Sequence, residues 1–137
     1  MPGPLPVPGA ARRNAPTIPT TALPASGRKG PAPDLPGDVK LGSAGAAWWE
    51  WAWHTPQAAA WDAGSLYVVA RRARLQDLLE SDGEVNAAMA REIRELDDRL
   101  GLTPKALAAL RWKIVDDSEV QSTERRSKRG LSVVAAG

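Results

Sequence analysis

The chain of 137 residues contains no cysteine, no phenylalanine, one histidine and one tyrosine. The absence of cysteine excludes disulfides, thiolate zinc ligands and cysteine nucleophiles. No run of about 18 apolar residues is present, so no segment is predicted to span a membrane. The proline-rich N-terminus lacks the apolar stretch of a secretory signal. These absences fit a reducing cytoplasm, although they do not fix the compartment.

Residues that carry chemistry are also sparse. His54 is the single histidine, and a lone histidine is more often a hydrogen-bonded structural residue than a base or a ligand. The sequence has no G-x-x-x-x-G-K-[ST] phosphate loop and no convergent carboxylate pair. We therefore expect no catalytic residue, no metal site and no cofactor, and an enzyme is the least favoured class of function.

Charge is distributed unevenly along the chain. Residues 1–43 carry five basic and two acidic side chains (+3), residues 44–117 carry nine and twelve (−3), and residues 118–137 carry four and two (+2). Basic ends around an acidic centre indicate an anionic partner, of which nucleic acid is the commonest.

The two ends are predicted to be unfolded. Residues 1–43 hold ten of the twelve prolines, and proline at that density prevents any long helix. We interpret them as a disordered basic arm, either a plain linker or a segment that contacts phosphates. The arm's candidate DNA contacts are Arg12, Arg13, Arg28 and Lys29. Residues 118–137 are predicted to be a flexible basic tail, either a plain end or a docking peptide for a partner protein. The tail's candidate docking residues are Arg125, Arg126, Lys128 and Arg129.

The central part, residues 44–117, is predicted to be all-α. Thr55-Pro56 and Thr103-Pro104 are helix starts, with threonine as N-cap and proline in the first turn. Val85, Met89, Ile93, Leu96 and Leu100 form the clearest apolar stripe at helical spacing. The predicted helices cover 44–53, 56–63, 66–80, 84–100 and 104 to about 115. The third and fourth should form a central antiparallel hairpin, because a short turn connects them.

The core available to these helices is small. About 75 residues supply it, whereas a comfortable domain has ~100–150. We therefore expect self-association, and many tryptophans should bury against the hairpin or against neighbouring subunits. The residues predicted to serve oligomerisation are Trp48, Trp49, Trp51, Trp53, Trp61, Leu66, Val69, Met89, Ile93 and Leu96. Arg71, Arg72 and Arg74 are interpreted either as a solvated, ion-paired face or as a basic lining of a channel that contacts DNA.

A second DNA-binding arrangement lies in residues 93–114. Two helices joined at Gly101 could form a helix–turn–helix whose second helix presents Lys105, Arg111 and Lys113 to a groove. The same connection is common between packed helices that bind no DNA. A small helix-turn-helix transcription regulator is therefore the alternative function, and a purely structural helical oligomer is the third.

Two segments together resemble a known family. The sequences WWEWAWHTPQAAAWDAGSLYVVARRARL and REIRELDDRLGLTPKALAALRWKIV are similar to those of the terminase small subunit of tailed double-stranded DNA bacteriophages, in the form common among phages of actinobacteria. The resemblance covers about Leu23 to Val115. It implies a homo-oligomeric ring that binds viral DNA in the host bacterial cytoplasm. It also implies recruitment and regulation of a large ATPase–nuclease subunit, without catalysis of its own. Many small terminases have an N-terminal helix-turn-helix domain, which this chain lacks, so the family's DNA-binding residues do not transfer.

Overall fold

The computed structural model describes Gly3, residues 18–82 and residues 84–136. The elements in chain order are β1 (Thr21–Pro24), α1 (Ser43–Ala52), a 3₁₀ turn (Gln57–Ala60), α2 (Ser65–Asp82), α3 (Ala87–Arg99), α4 (Pro104–Leu110), β2 (Trp112–Val115) and α5 (Asp117–Ala136). The mostly helical fold is confirmed. The two strands were not predicted.

The core lies where α1 crosses α2. Trp49 packs edge-on against Trp53 at 5.5 Å between ring centroids, and Trp53 packs against Trp61 at 5.1 Å. These rings cover the small, fully buried residues of α2: Val69, Ala70 and Ala73. Aromatic side chains bury large areas, and small residues opposite them let the helices approach closely. One layer of indoles therefore forms one side of the core of this short chain.

The N-terminus of α1 is capped by a side chain from another helix. The Asp77 carboxylate on α2 accepts hydrogen bonds from the backbone N–H of Gly42 at 2.8 Å and of Gly45 at 2.6 Å. A Cβ at Gly45 would lie 2.7 Å from the Ala73 carbonyl oxygen and would collide with the Asp77 carboxylate. A carboxylate satisfies the free N–H groups and the positive end of the helix dipole. Gly45 is thus required by the close approach of the two helices.

Residues 56–63 are predicted to be helical, but only a short 3₁₀ turn forms there. The Thr55 hydroxyl accepts from the Ala58 N–H at 3.3 Å and donates to the Ala52 carbonyl at 2.7 Å. The N-cap of the turn is nevertheless Pro56 and not Thr55 as predicted. The backbone becomes extended at Trp61, whose indole donates to the Leu100 carbonyl at 2.9 Å. This tertiary hydrogen bond ends the turn early and ties it to the last residues of the hairpin.

The antiparallel hairpin of α2 and α3 is present as expected. Arg72 of α2 pairs with Asp97 of α3 at 2.8 Å and lies over the Trp48 ring at 4.8 Å. Asn86 caps α3 by accepting from the Met89 N–H at 2.7 Å, so the helix begins at Ala87 and not at Glu84. Asparagine is a strong N-cap residue, which explains the later start.

The apolar stripe of α3 is buried only at one end. Leu96 and Leu100 are buried, Met89 and Ile93 are half-buried, and Val85 is exposed. The buried end lies beside the tryptophan layer. The other end of the hairpin has no such layer, so its apolar side chains remain in contact with solvent.

The predicted helix from Pro104 to about 115 ends early. Thr103 caps it as expected, accepting from the Ala106 N–H at 3.1 Å. The helix stops at Leu110 because Arg111 takes a left-handed conformation, φ 58°. Trp112–Val115 then forms β2, and its aromatic and β-branched residues favour a strand. A recognition helix that presents Arg111 and Lys113 is therefore not formed.

Strands β1 and β2 form a parallel pair. Thr21 lies opposite Trp112 and Pro24 opposite Val115, and the Ala25 N–H donates to the Val115 carbonyl at 2.8 Å. Residues 18–42 thus differ from the predicted disordered arm. Leu23 is only 2% exposed. The extended chain also covers the tryptophans, where the Trp49 indole donates to the Pro33 carbonyl at 3.1 Å. Extended packing of this kind tolerates proline, because it requires few backbone donors.

Residues 117–136 form helix α5, where a flexible tail was predicted. The segment has no proline, and Asp117 and Glu119 lie in its first turn, where acidic side chains are favourable. The Ser26 hydroxyl donates to the Asp117 carboxylate, and Lys29 lies 3.8 Å from that carboxylate. Hydrogen bonds from Ser26 lower the pKa of Asp117. We refer to Ser26, Lys29 and Asp117 as the α5 latch, because they join the helix to the turn after β1.

Candidate nucleic-acid interface

The three arginines of α2 have different environments. Arg72 is only 7% exposed, because it pairs with Asp97 and donates to the Gln76 side-chain oxygen at 3.1 Å. Arg71 and Arg74 are exposed. The ion-paired interpretation therefore applies to Arg72, and only Arg71 and Arg74 can reach a ligand without rearrangement of the hairpin.

Arg71 and Arg74 belong to a longer surface feature. They line an open groove of about 370 Å³ together with Val39, Tyr67, Ala70, Leu75 and Leu78. Tyr67 is 69% exposed and Leu78 is 45% exposed. Residues 67, 71, 74 and 78 are spaced four, three and four apart, so they share one helix face. We call Tyr67, Arg71, Arg74, Leu75 and Leu78 the α2 groove.

The sequence contains part of the signal for this groove. The spacing of Tyr67, Arg71, Arg74 and Leu78 predicts that they lie on one face of a helix. Apolar spacing alone does not show which stripe of a helix its neighbours cover, so the sequence does not reveal that Leu75 lies beside this face. Burial by α1 and α3 leaves the α2 groove as the uncovered side.

The N-terminal cations are held in place by the fold. The Arg28 guanidinium donates to the Pro31 carbonyl at 2.9 Å and lies 5.3 Å from the centre of the Trp53 ring. Lys29 donates to the Ser26 hydroxyl at 2.9 Å as part of the α5 latch. Both therefore have structural contacts in the folded chain. Arg12 and Arg13 lie outside the described residues.

A second basic surface is formed where α4 meets β2. Lys105 lies in the first turn of α4, Arg111 is its C-cap, and Lys113 lies on β2; all three are exposed. Residues 104–115 contain no acidic side chain. A guanidinium at a helix C-terminus is favourable, which gives Arg111 a structural role as well. We call Lys105, Arg111 and Lys113 the α4–β2 basic corner.

Helix α5 carries a third basic surface. Arg125, Arg126, Lys128 and Arg129 are exposed on this 20-residue helix, which is about 30 Å long at ~1.5 Å per residue. The contacts of the α5 latch lie at its first residue. The cations are therefore presented about two turns or more beyond the latch.

The residues predicted to serve oligomerisation are divided between the core and the surface. Trp49, Trp53, Val69 and Leu96 are buried within the single chain, so they stabilise the subunit itself. Trp48, Trp61, Leu66, Met89 and Ile93 are half-buried, and Trp51 is exposed. Only the latter two groups have surface left to contact a second copy.

His54 has the structural environment expected of a lone histidine. It is exposed, and its Nδ1 lies 2.6 Å from the Glu50 carbonyl oxygen. Among the described residues, no group of three His, Asp or Glu side chains is arranged to hold a metal ion. Within the same part of the chain, no helix is both long enough and apolar enough to cross a membrane.

Comparison with models of known protein families gives a match over nearly the whole chain. A family model described as phage terminase small subunit matches residues 1–135. No curated protein and no solved structure matches the chain significantly.

Proposed function

The chain belongs to the phage terminase small subunit family, and on that basis we propose that it is the non-catalytic small subunit of a DNA-packaging terminase. It binds viral double-stranded DNA as a homo-oligomeric ring in the cytoplasm of the host bacterium. It also recruits and regulates the large subunit, which supplies the ATPase and the nuclease. The family match supports the packaging role, and the surfaces described above suggest how each contact is made.

The α4–β2 basic corner is the surface that we assign to DNA. Its three cations are exposed, and they form no ion pair within the described residues. Phosphate contacts by lysine and arginine release counterions, which supplies most of the affinity of sequence-independent binding. The left-handed Arg111 also places its side chain at an abrupt bend between α4 and β2. Strained residues of this kind often occur at binding sites.

The basic side chains of α5 are assigned to the large subunit. Arg125, Arg126, Lys128 and Arg129 are exposed on a helix that extends beyond its latch. A projecting helix can enter a groove of a partner protein, and its cations select a partner with acidic residues at that groove.

The DNA assignment is tested by removing the charges of the corner. We expect the triple variant Lys105→Gln, Arg111→Gln and Lys113→Gln to bind short double-stranded DNA more weakly at low salt. Each lost phosphate contact reduces the slope of log K against log salt by ~0.9, so the slope should fall by about 2 to 3. Fluorescence anisotropy over a salt series measures both quantities.

A control for net charge is available on other surfaces. Lys40, Arg91 and Arg94 are exposed, and their triple replacement by glutamine removes the same charge. Equal loss of affinity and of slope in both triple variants would contradict the assignment to the corner. Unchanged binding in the corner variant would remove the corner from DNA contact altogether.

A further inference from the structure

The α2 groove combines exposed apolar surface with two arginines that form no ion pair within the described part of the chain. Among the described residues the ion pairs are Lys29–Asp117 and Arg72–Asp97, so Arg71 and Arg74 pair with no acidic side chain there. Tyr67 and Leu78 flank them and are largely exposed. A face on which two arginines are flanked by apolar side chains fits a helix that carries acidic residues at the matching spacing.

Helix α3 carries a face of that composition. Ala88, Glu95 and Arg99 are exposed and Glu92 is half-buried; together we call them the α3 acidic face. Glu92 and Glu95 also form no ion pair within the described part of the chain. The arginines of the α2 groove and the glutamates of the α3 acidic face therefore have no ion-pair partner within one subunit. Their charges are opposite, so each face can supply the partners of the other.

The spacing of the two faces matches when the helices run antiparallel. Along α2, the groove residues on this face are at positions 67, 71, 74 and 78. Along α3 in the opposite direction, the residues of the acidic face are at positions 99, 95, 92 and 88. Both sets are therefore spaced by four, three and four residues. In this register Arg71 meets Glu95 and Arg74 meets Glu92. At the ends, Tyr67 meets Arg99, a cation–π pair, and Leu78 meets Ala88, whose small side chain permits close packing.

We propose that the α2 groove of one copy receives the α3 acidic face of a second copy, antiparallel and in this register. The inference rests on the proposed ring assembly and names the surfaces that build it. The two faces lie on different helices of each subunit, so the contact is heterologous. A heterologous contact leaves one face free at each end of a growing oligomer, and a ring forms when the rotation between subunits closes.

Charge reversal on each face tests the pairing. The first variant carries Arg71→Glu and Arg74→Glu, and the second carries Glu92→Arg and Glu95→Arg. Like charges placed opposite each other strongly disfavour association, so each variant alone should self-associate on the order of 10²-fold more weakly than the unaltered chain. Native mass spectrometry and sedimentation without DNA measure the assembly.

Restoration of the pairing makes the test specific. In the quadruple variant every interface again joins opposite charges, so it should assemble. An equimolar mixture of the two double variants should also assemble, with the two variants alternating, because each supplies the face that the other needs. The control for the first variant is Arg125→Glu with Arg126→Glu on α5, which makes the same change of net charge outside both faces and should leave the oligomer unchanged.

The outcomes distinguish a failure of the proposed pairing from a failure of the proposed ring assembly. Oligomers that persist in both double variants would overturn the pairing and leave the proposed assembly intact. Oligomers that are lost in both and recovered neither in the quadruple variant nor in the mixture would also overturn it. A monomeric unaltered chain would overturn the assembly itself, while DNA binding through the α4–β2 basic corner would still be measured independently.

Discussion

The two ends of the α2–α3 hairpin are built from similar apolar residues but differ in packing. At one end Val69, Ala73 and Leu100 are buried beneath the tryptophans of α1 and the 3₁₀ turn. At the other end Leu78 and Val85 are exposed. The first end contains the core of the single chain, whereas the second leaves its apolar side chains exposed. Stability and assembly are therefore expected to depend on different residues of the same hairpin.

The largest effect is expected at the tryptophan layer. Trp49→Ala removes a buried ring that also donates to the Pro33 carbonyl, and such truncations cost about 3–5 kcal/mol. Trp51→Ala is the matched control, because Trp51 is 56% exposed and should change stability by less than ~0.5 kcal/mol. Urea unfolding at fixed protein concentration compares them. Similar losses in the two variants would mean that this end is not the core.

A smaller effect is expected from the buried arginine. Arg72→Ala leaves Asp97 without its partner, so we expect a loss of about 2 kcal/mol, below the ~3–5 kcal/mol of fully buried pairs because Asp97 is partly solvated. Arg71→Ala should leave the stability of the subunit nearly unchanged. Thermal unfolding distinguishes them, and equal shifts in Tm would contradict the division of this arginine cluster into core and surface members.

The cap of α1 tests how firmly the two helices are joined. Asp77→Ala removes the acceptor of the Gly42 and Gly45 N–H groups and should cost about 1 kcal/mol, the usual value for a lost N-cap. Asp38 is exposed, and Asp38→Ala serves as the control. Hydrogen exchange should then increase first in the opening turn of α1. Unchanged exchange there would show that the cap does not hold the helix.

The smallest effect is expected at the α5 latch and depends on pH. The pKa of Asp117 is lowered by hydrogen bonds from Ser26, so its contribution is present above the carboxyl's unfolded pKa of about 3.9. The contribution is lost as pH falls through the lower folded pKa. Ser26→Ala should raise the pKa of Asp117, which an NMR titration measures. An unchanged pKa would show that Ser26 does not hold the carboxylate.

Local signals in the sequence predicted several elements well. Thr103 before Pro104 marks the start of α4. The Thr103 hydroxyl caps a backbone N–H of the first turn, and the fixed φ of Pro104 suits the first helical position, so both effects are local. The packed N-terminal segment was not predicted, because Leu23 finds its strand partner about ninety residues further along the chain. The proline content of residues 18–42 correctly predicted that they form no helix. It could not predict that this extended segment would cover the tryptophans.

The candidate sites show the same limit. Arg71, Arg72 and Arg74 are adjacent and chemically alike in the sequence, yet only Arg72 meets a carboxylate of α3. Lys105, Arg111 and Lys113 were expected on one helix, but a left-handed residue and a strand place them on a bend. Residue type identified the cations, whereas the neighbours of each side chain decided which of them remained free.

The sequence by itself determined the family, the helical hairpin, the capped helix starts and the surplus of cations at both ends. The helix starts follow from hydrogen bonds within one turn, and the hairpin follows from a connection too short for any other arrangement. The family and the charges are read directly from the order of the residues. The tertiary structure alone decided that Asp77 caps α1, that β1 pairs with β2, and that the α2 groove stays uncovered. Each of these depends on contacts between segments distant in the chain, and their free energy exists only once the tryptophan layer has brought the segments together.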